Sequence, residues 1–415
     1  MKTNLSLLVL VSFFGLSAAL LQAADPFVIV ATTTSGPALT VTASGSSLID
    51  FTNNLINSKG QFQGLNNTAY TATSTFLGVP NAITYVSNAG GTNVTLGLTP
   101  IGFSKTFTGA TSTDVNNQIK TFYESDGSTI YANFLKAIAK ESAAAVTDGN
   151  PNAVTAQSAN GAFTSQGFTS TDELISSTDE TAGSAKPRLG GFGLGFNSGQ
   201  FKAAGMKGSN TDISFTGLNI GLGDKVRLLT PVNVDYISIE GAKVYGAGVN
   251  LALPIRVQVM DKENPWNWRL TPLAGLNVRA SEDLASGGLL WDAGLVSSVD
   301  YRVNPTLVVC LIDQVTEHKS MTVSYGSYHF NPDIDQQILK NGVRVVVPLA
   351  RRVIGDCFVI ETNFLKDAAV KQFTTFGGSL SLRTTRSYNL SLGANYDTGS
   401  DFKAWSVGLS SAWHW

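Results

Sequence analysis

DFKAWSVGLSSAWHW, residues 401–415, closes the chain. Trp405, Val407, Leu409, Trp413 and Trp415 fall on alternate positions, and Ala404, Ser406, Gly408, Ser410, Ala412 and His414 lie between them. A period of two is the mark of a β-strand, whose successive side chains point to opposite faces. One face of this strand is large and apolar; the other is small. Chain ends are ordinarily polar and frayed, so a terminal strand of this make-up is expected to be paired along its length and covered on its apolar face.

The strand before it, 387–398, repeats the pattern. Tyr388, Leu390, Leu392, Ala394 and Tyr396 share one face, with Asn389, Ser391, Gly393, Asn395 and Asp397 on the other. Eight residues separate the two tyrosines, about 26 Å along an extended chain. Tilted by roughly 40°, that becomes about 20 Å of height, close to the ~25 Å apolar band of a membrane barrel. Trp405 and Trp413 repeat the spacing, and Trp266 and Trp268 add to the set. Aromatic residues at both edges of an apolar strip suit a bilayer, where ring bodies meet acyl chains and polar atoms meet headgroups. Tyr388, Tyr396, Trp266, Trp268, Trp405, Trp413 and Trp415 are therefore read as membrane-interface aromatics.

Long alternating segments continue back to residue 189: 189–203, 211–223, 225–240, 243–260, 266–280, 287–302, 305–316, 336–350, 353–366, 372–384, 387–398 and 403–415. Soluble strands cluster near 5–6 residues, whereas a tilted membrane strand needs about 9–11 just to cross. Single-chain bacterial barrels have even strand numbers. Counting 321–331 as a strand breaks that parity, so 317–335 is read as one long external excursion. The reading is an all-β membrane barrel of about 12 antiparallel strands (range 10–14) with an N-terminal mixed α/β extra domain. It places the turns after Gly223, Met260, Arg302, Arg352 and Thr384 on one side as short ones, with the short link at Gly241 and Ala242 an exception.

Composition agrees. Charged residues make up 14% of the 415, Gly is abundant at 41, and the net charge of −2 gives no basic surface for nucleic acid. After the N-terminus no apolar run reaches the roughly 20 residues a membrane helix needs; Arg351, Arg352 and Asp356 interrupt the nearest candidate. Any crossing must use strands.

MKTNLSLLVLVSFFGLSAALLQAAD, residues 1–25, has the basic start, apolar middle and small-residue exit of a secretory signal, with cleavage expected after Ala23 or Ala24. Residues 25–147 read as a β-rich unit followed by helical segments near 112–125 and 128–147, and 148–187 as a polar linker ahead of the barrel at 188–415. The helices are expected to pack on the β-rich unit, the alternative being a helix inside the barrel. Two cysteines, Cys310 and Cys357, could pair in an oxidising compartment.

In lipid no backbone polar group can go unpaired, so a spanning sheet has to close and its last strand has to meet its first. The C-terminal pattern Trp405-x-Val407-x-Leu409-x-x-x-Trp413-x-Trp415 resembles the assembly signal of bacterial outer-membrane β-barrel proteins. Trp415 departs from the Phe usual there. The resemblance covers about 188–415, is porin-like in architecture and singles out no subfamily. It implies export across the inner membrane, insertion by the barrel-assembly machinery, and residence among the lipids of a diderm outer membrane.

Alternation puts Arg256, Arg269, Arg279, Asp292, Asp300, Arg302, Arg344, Glu361, Arg383 and Asp397 on the inner face, as pore-lining candidates. Charges of both signs on an inner wall would tune a water-filled pore or fill a narrow lumen as ion pairs. His318 and His329, near Glu317, Asp333 and Asp335, have no catalytic spacing and read as solvated loop residues; no catalytic, cofactor or metal site is assigned. The expected function is a passive, non-enzymatic channel for small polar solutes carrying a periplasmic or plug domain. The alternative is an autotransporter-like or adhesin-type surface anchor with a blocked barrel.

Overall fold

The computed structural model describes residues 25–414 apart from 48–49, 52, 55–64, 66–67, 125–126, 165–190 and short breaks at 216, 223–224, 261–263, 285, 305, 326–327, 351 and 384–387. The expected signal segment, the second half of the linker and Trp415 lie outside the described residues.

Twelve long strands form the barrel: β7 (Gly191–Ala203), β8 (Met206–Phe215), β9 (Val232–Ile239), β10 (Ala242–Ala252), β11 (Trp266–Ser281), β12 (Ser286–Asn304), β13 (Leu307–Met321), β14 (Asp335–Ala350), β15 (Val353–Phe364), β16 (Gln372–Arg383), β17 (Tyr388–Gly399) and β18 (Phe402–His414). Each pairs antiparallel with the next, and β18 pairs with β7 from Phe402↔Ala203 to His414↔Gly191, which closes the sheet. The terminal strand thus meets the first strand, as the closure argument required.

The ladder fixes the size of the barrel. Paired residues followed round the wall from Val226 through Asp313, Glu361 and Lys202 arrive at Glu240, on the segment they left but 14 residues further along it (226 to 240). Twelve strands with that stagger tilt by about 39° and enclose a backbone cylinder of roughly 12 Å radius. A helix with its side chains is about 10–12 Å across, so the lumen has room for one helix and a layer of wall side chains.

A soluble β-sandwich would turn its apolar faces into a dry core; here they point outward. Large apolar side chains stand exposed on all twelve strands, among them Phe196, Ile213, Val234, Leu251, Leu276, Leu295, Leu311, Val343, Val359, Leu380, Leu392 and Leu409. Leu392 at 56% and Leu409 at 48% exposure face outward, not into a dry interior. Aromatics edge this belt. Trp266, Trp268, Tyr301 and Trp413 are exposed near one rim, with Tyr388 half-buried against Trp413 at 4.9 Å between ring centroids. Tyr245, Trp291, Tyr396 and Trp405 stand exposed towards the other rim. A continuous apolar surface of this extent is a lipid surface.

Turn lengths do not sort the two rims as expected. The two-residue turns Ala204–Gly205, Glu240–Gly241 and 400–401 all lie at the rim away from the barrel termini, while the turns expected to be short at the other rim, after Gly223 and Met260, are short too: Asn219–Gly221 pairs with Arg227–Leu229 across the first, and Ile255–Gln258 pairs back onto Trp268–Leu270 across the second. In two of these turns positive φ is supplied by adjacent residues, Ala204 and Gly205 in one and Glu240 and Gly241 in the other, the geometry that matches strand twist. The excursion read as 317–335 is shorter: β13 runs to Met321, β14 starts at Asp335, and a small hairpin (Val323–Tyr325 with Tyr328–Phe330) fills part of the gap.

The N-terminal unit is a six-stranded antiparallel sheet in the order β2 (Thr40–Gly45), β1 (Phe27–Thr33), β3 (Tyr70–Phe76), β4 (Val79–Ser87), β5 (Asn93–Leu98), β6 (Phe103–Thr108). Two helices, α1 (Ser112–Glu124) and α2 (Gly127–Glu141), cover it. Phe76 meets Phe134 edge-on at 5.2 Å between centroids, and Phe103 stacks on Phe122 at 5.7 Å. The same apolar cluster continues into Phe201, Met206, Ile237, Ile239, Phe373 and Phe402, so the unit sits on the rim opposite Gly191 and His414.

Between unit and barrel comes the main departure. The stretch read as a polar linker from residue 148 is buried in its first half, and Val154–Phe163 forms a helix, α3. Its neighbours are the inner walls of β10–β15. The chain therefore enters the lumen from the rim carrying the N-terminal unit and runs towards the opposite rim, where β7 begins.

Candidate functional site: the plugged lumen

Small residues make α3 thin enough to thread. VTAQSANGAF, residues 154–163, carries only two large apolar side chains, Val154 and Phe163, one at each end. Val154 packs on Leu290 and Ile334 near the entry. Phe163 is fully buried among Ala252, Leu273, Val296, Cys310, Ile312 and Ile360. Gly342 makes room for it, because a Cβ there would stand 2.7 Å from the ring.

Between these two contacts the helix is held by polar groups. Ser158 Oγ donates to Asp292 Oδ1 at 3.1 Å, and Asn277 Nδ2 donates to that oxygen at 2.5 Å and to Ser158 Oγ at 3.0 Å. Gln314 Nε2 donates to the Ala159 carbonyl at 2.9 Å, and Lys340 Nζ to Asn160 Oδ1. Ahead of the helix, Arg279 donates through Nη1 to the Asn152 carbonyl while Nη2 pairs with Asp235 Oδ2 at 2.6 Å. The guanidinium is 1% exposed, so these two partners offset its desolvation.

Asp148 stands in the mouth, outside the strands. Its Oδ1 accepts from Thr155 Oγ1 at 2.9 Å and its Oδ2 from Gln336 Nε2 at 3.3 Å. Burial raises its carboxyl to about 6, against those hydrogen bonds, which act to lower it.

Of the ten pore-lining candidates, Arg279 and Asp292 touch the plug segment. Arg344 is buried beyond Phe163 and pairs with Asp356 at 2.8 Å, where Ser379 Oγ also donates at 2.5 Å. Asp300 is buried and accepts from Asn267 at 2.8 Å. Arg269 is buried opposite half-buried Arg256, and Arg302 and Asp397 are half-buried. Arg383 ends β16, and its side chain lies outside the described residues.

Glu361 is a correction: it is exposed on the outer face with Cys357 and Val359. The segment CFVIETNF, 357–364, is apolar on both faces, and alternation alone chose the phase that put the charge inside. The plug's aromatic tip reverses it, because Phe358 and Ile360 face inward to meet Phe163. His318 is a second correction. It is buried on the inner face of β13, opposite Asp292, with Nε2 2.9 Å from Thr316 Oγ1, and is no loop residue. His329's side chain is outside the described residues. Cys310 is buried inside and Cys357 exposed outside, on opposite sides of the wall, and no disulfide joins them.

Sequence reasoning missed Asp235, Asn277, Gln314, Lys340 and the plug itself. The first four lie on inner faces by the same alternation that found the arginines, so a count of every amide, acid and lysine on those faces would have reached them. Nothing in 148–163 marks it as a plug beyond a row of small residues ending in Phe163.

No protein-family model and no curated protein matches the sequence. Among solved structures, the β-domain of the Bordetella autotransporter BrkA shares 13% identity at a TM-score of 0.41, covering 54% of this chain and 99% of that one. An outer membrane channel from Pseudomonas putida F1 shares 12% at 0.43, covering 57% and 100%. The KdgM porin solved with disordered oligogalacturonate shares 9% at 0.32, covering 52% and 97%. With scores under 0.5 the likeness goes no further than barrels of this general kind; the closed ladder and the apolar belt carry the assignment of a membrane-spanning β-barrel.

Proposed function

We propose that this chain is a porin-like outer-membrane channel for small polar solutes, held shut by its own residues 142–163. The carrying observation is how the plug is seated. Through the middle of α3 the wall grips it by hydrogen bonds from Asn277, Gln314 and Lys340 and to Asp292. Contacts of this kind exchange with water at modest net cost, about 0.5–1.5 kcal/mol for a neutral pair and about 1.5–3 where one partner is charged, whereas a permanently blocked barrel has no need of a polar wall. Arg256, Arg269, Asp300, Arg302, Arg344 and Asp397 would line the path once the plug is out. In this proposal residues 1–24 direct export and the barrel-assembly machinery inserts the chain.

Conductance of the full chain in planar bilayers tests this. Wild-type protein is expected to be silent with rare openings, and Phe163→Ala, which removes the apolar stop, to open often. If both stay silent while folded, the barrel is a blocked anchor.

One observation favours a second reading, an autotransporter-like surface display. The N-terminal unit sits at the rim opposite Gly191 and His414, with the connecting chain inside the lumen. If the rim bearing the barrel termini faces the periplasm, the unit is on the cell surface. Protease added to intact cells would then remove 25–141, and protection of that segment would leave the periplasmic placement.

A further inference from the structure

The outer wall carries one row of like charges that the barrel's own stability does not explain. Lys403 on β18, Lys202 on β7 and Lys207 on β8 are consecutive partners across three strands. All three belong to the lipid-side face: Lys403 alternates with Trp405 and Val407, Lys202 with Phe196 and Leu194, and Lys207 with Ile213. Directly opposed residues in a sheet have Cβ atoms roughly 4.5–5.5 Å apart, and like charges so placed destabilise it. Among the described residues no salt bridge joins any of the three to a carboxylate. Glu240, the next partner in the row, ends it with a carboxylate whose Oε1 accepts from the backbone N–H of Lys207, and Asp401 is exposed in the turn before β18.

The height of the row is equally specific. It lies two residues beyond the Trp405↔Gln200 pair, on the rim side of the aromatic edge that Trp405 and Tyr396 form. Two residues at this tilt put Lys403 about 5 Å above Trp405, and because a row of paired residues climbs towards this rim by about 3 Å per strand, Lys202 and Lys207 stand roughly 3 and 6 Å higher again. The ammonium groups therefore stand past the apolar band, where headgroup phosphates lie, with their stems free to extend towards the rim.

We propose that Lys202, Lys207 and Lys403 form a binding site for the phosphate groups of anionic lipid headgroups in the leaflet at that rim. A phosphate between neighbouring lysines turns a repulsive row into a bridged one, and lysine is well suited to phosphate as a point charge. The site does not depend on whether the lumen opens.

The test uses the full-length protein in neutral detergent, titrated with phosphatidylglycerol or phosphatidylcholine, with retained lipid counted by native mass spectrometry. Phosphatidylglycerol is expected to bind at least tenfold more tightly. At about one kcal/mol per lysine near a lipid surface, the triple variant Lys202→Gln/Lys207→Gln/Lys403→Gln should lose about a hundredfold. The triple Lys→Arg variant keeps the charge and should keep the binding, which separates lost affinity from lost folding. Equal binding of the two lipids, or full binding by the glutamine variant, overturns the proposal. So does displacement of the lipid by an equal concentration of inorganic phosphate, since the row would then be a site for the free anion.

Discussion

Arg279 shows how one side chain can tie the plug to the wall. It is buried, its Nη2 pairs with Asp235 at 2.6 Å, and its Nη1 holds the Asn152 carbonyl. Removing one partner of a buried pair leaves the other charge uncompensated, at about 3–5 kcal/mol. Arg279→Met should therefore lower barrel stability by about that much in urea titration in lipid vesicles, and Arg279→Met with Asp235→Leu should recover most of it. A single variant as stable as wild type would mean that the pair contributes no net stability. Glu361 is the opposite case. It is exposed on the lipid side, hydrogen-bonded by Gln372 Nε2, in a register row with Asn341 and Asp313, which bond to each other at 2.6 Å. Acidic side chains on the lipid face cost something, though less than basic ones, so Glu361→Leu should stabilise the protein by roughly 1 kcal/mol. Destabilisation in the same assay would show that the row is satisfied there by something other than lipid.

At the scale of elements, strands were legible and the plug was not. β14 to β18 match their expected ranges to within two residues at each end because most of their outer residues are large and apolar and most inner ones polar or small, which keeps the period of two visible along them. Where inner residues are apolar as well, as at Phe358 and Ile360, the phase is ambiguous and Glu361 was misplaced. The α3 segment failed for another reason. A helix in a lumen of this size must be thin and must satisfy polar walls, so its composition of Ala, Ser, Asn, Gln and Gly is that of a linker. Periodicity cannot reveal it, because there is no amphipathic contrast when the surroundings are polar on nearly every side. Its tip gives the element a testable function. Gly342→Leu fills the space that Phe163 occupies and should push α3 back from its seat. Relative to wild type, residues in 142–163 should then become accessible to labelling at an introduced Ser158→Cys. Unchanged labelling would show that Phe163 does not hold the helix in place.

At the scale of the whole molecule, the N-terminal unit and the barrel are coupled through the mouth, where Asp148 and the plug meet β14 and the rim. Lys136 with Asp333 and Lys140 with Asp367 at 3.2 Å bridge α2 to rim loops, but such exposed pairs contribute little. The larger pH-dependent effect is Asp148, whose carboxyl is raised to about 6 by burial. Once the plug leaves and water reaches that group, its affinity for protons falls towards the ordinary value near 4. The plugged state thus binds the proton more tightly than the released state. The sign follows from linkage: plugging is strongest below about pH 4, weakens as pH rises through the interval from about 4 to 6, and is constant above it. Open probability in planar bilayers should accordingly rise as pH is raised from 4 to 7. Asp148→Asn, neutral at every pH and still able to accept from Thr155, should flatten that interval and hold the channel near its low-pH behaviour. A wild-type profile that is flat over this range, or one that opens on acidification, would mean that Asp148 does not set the balance between the two states.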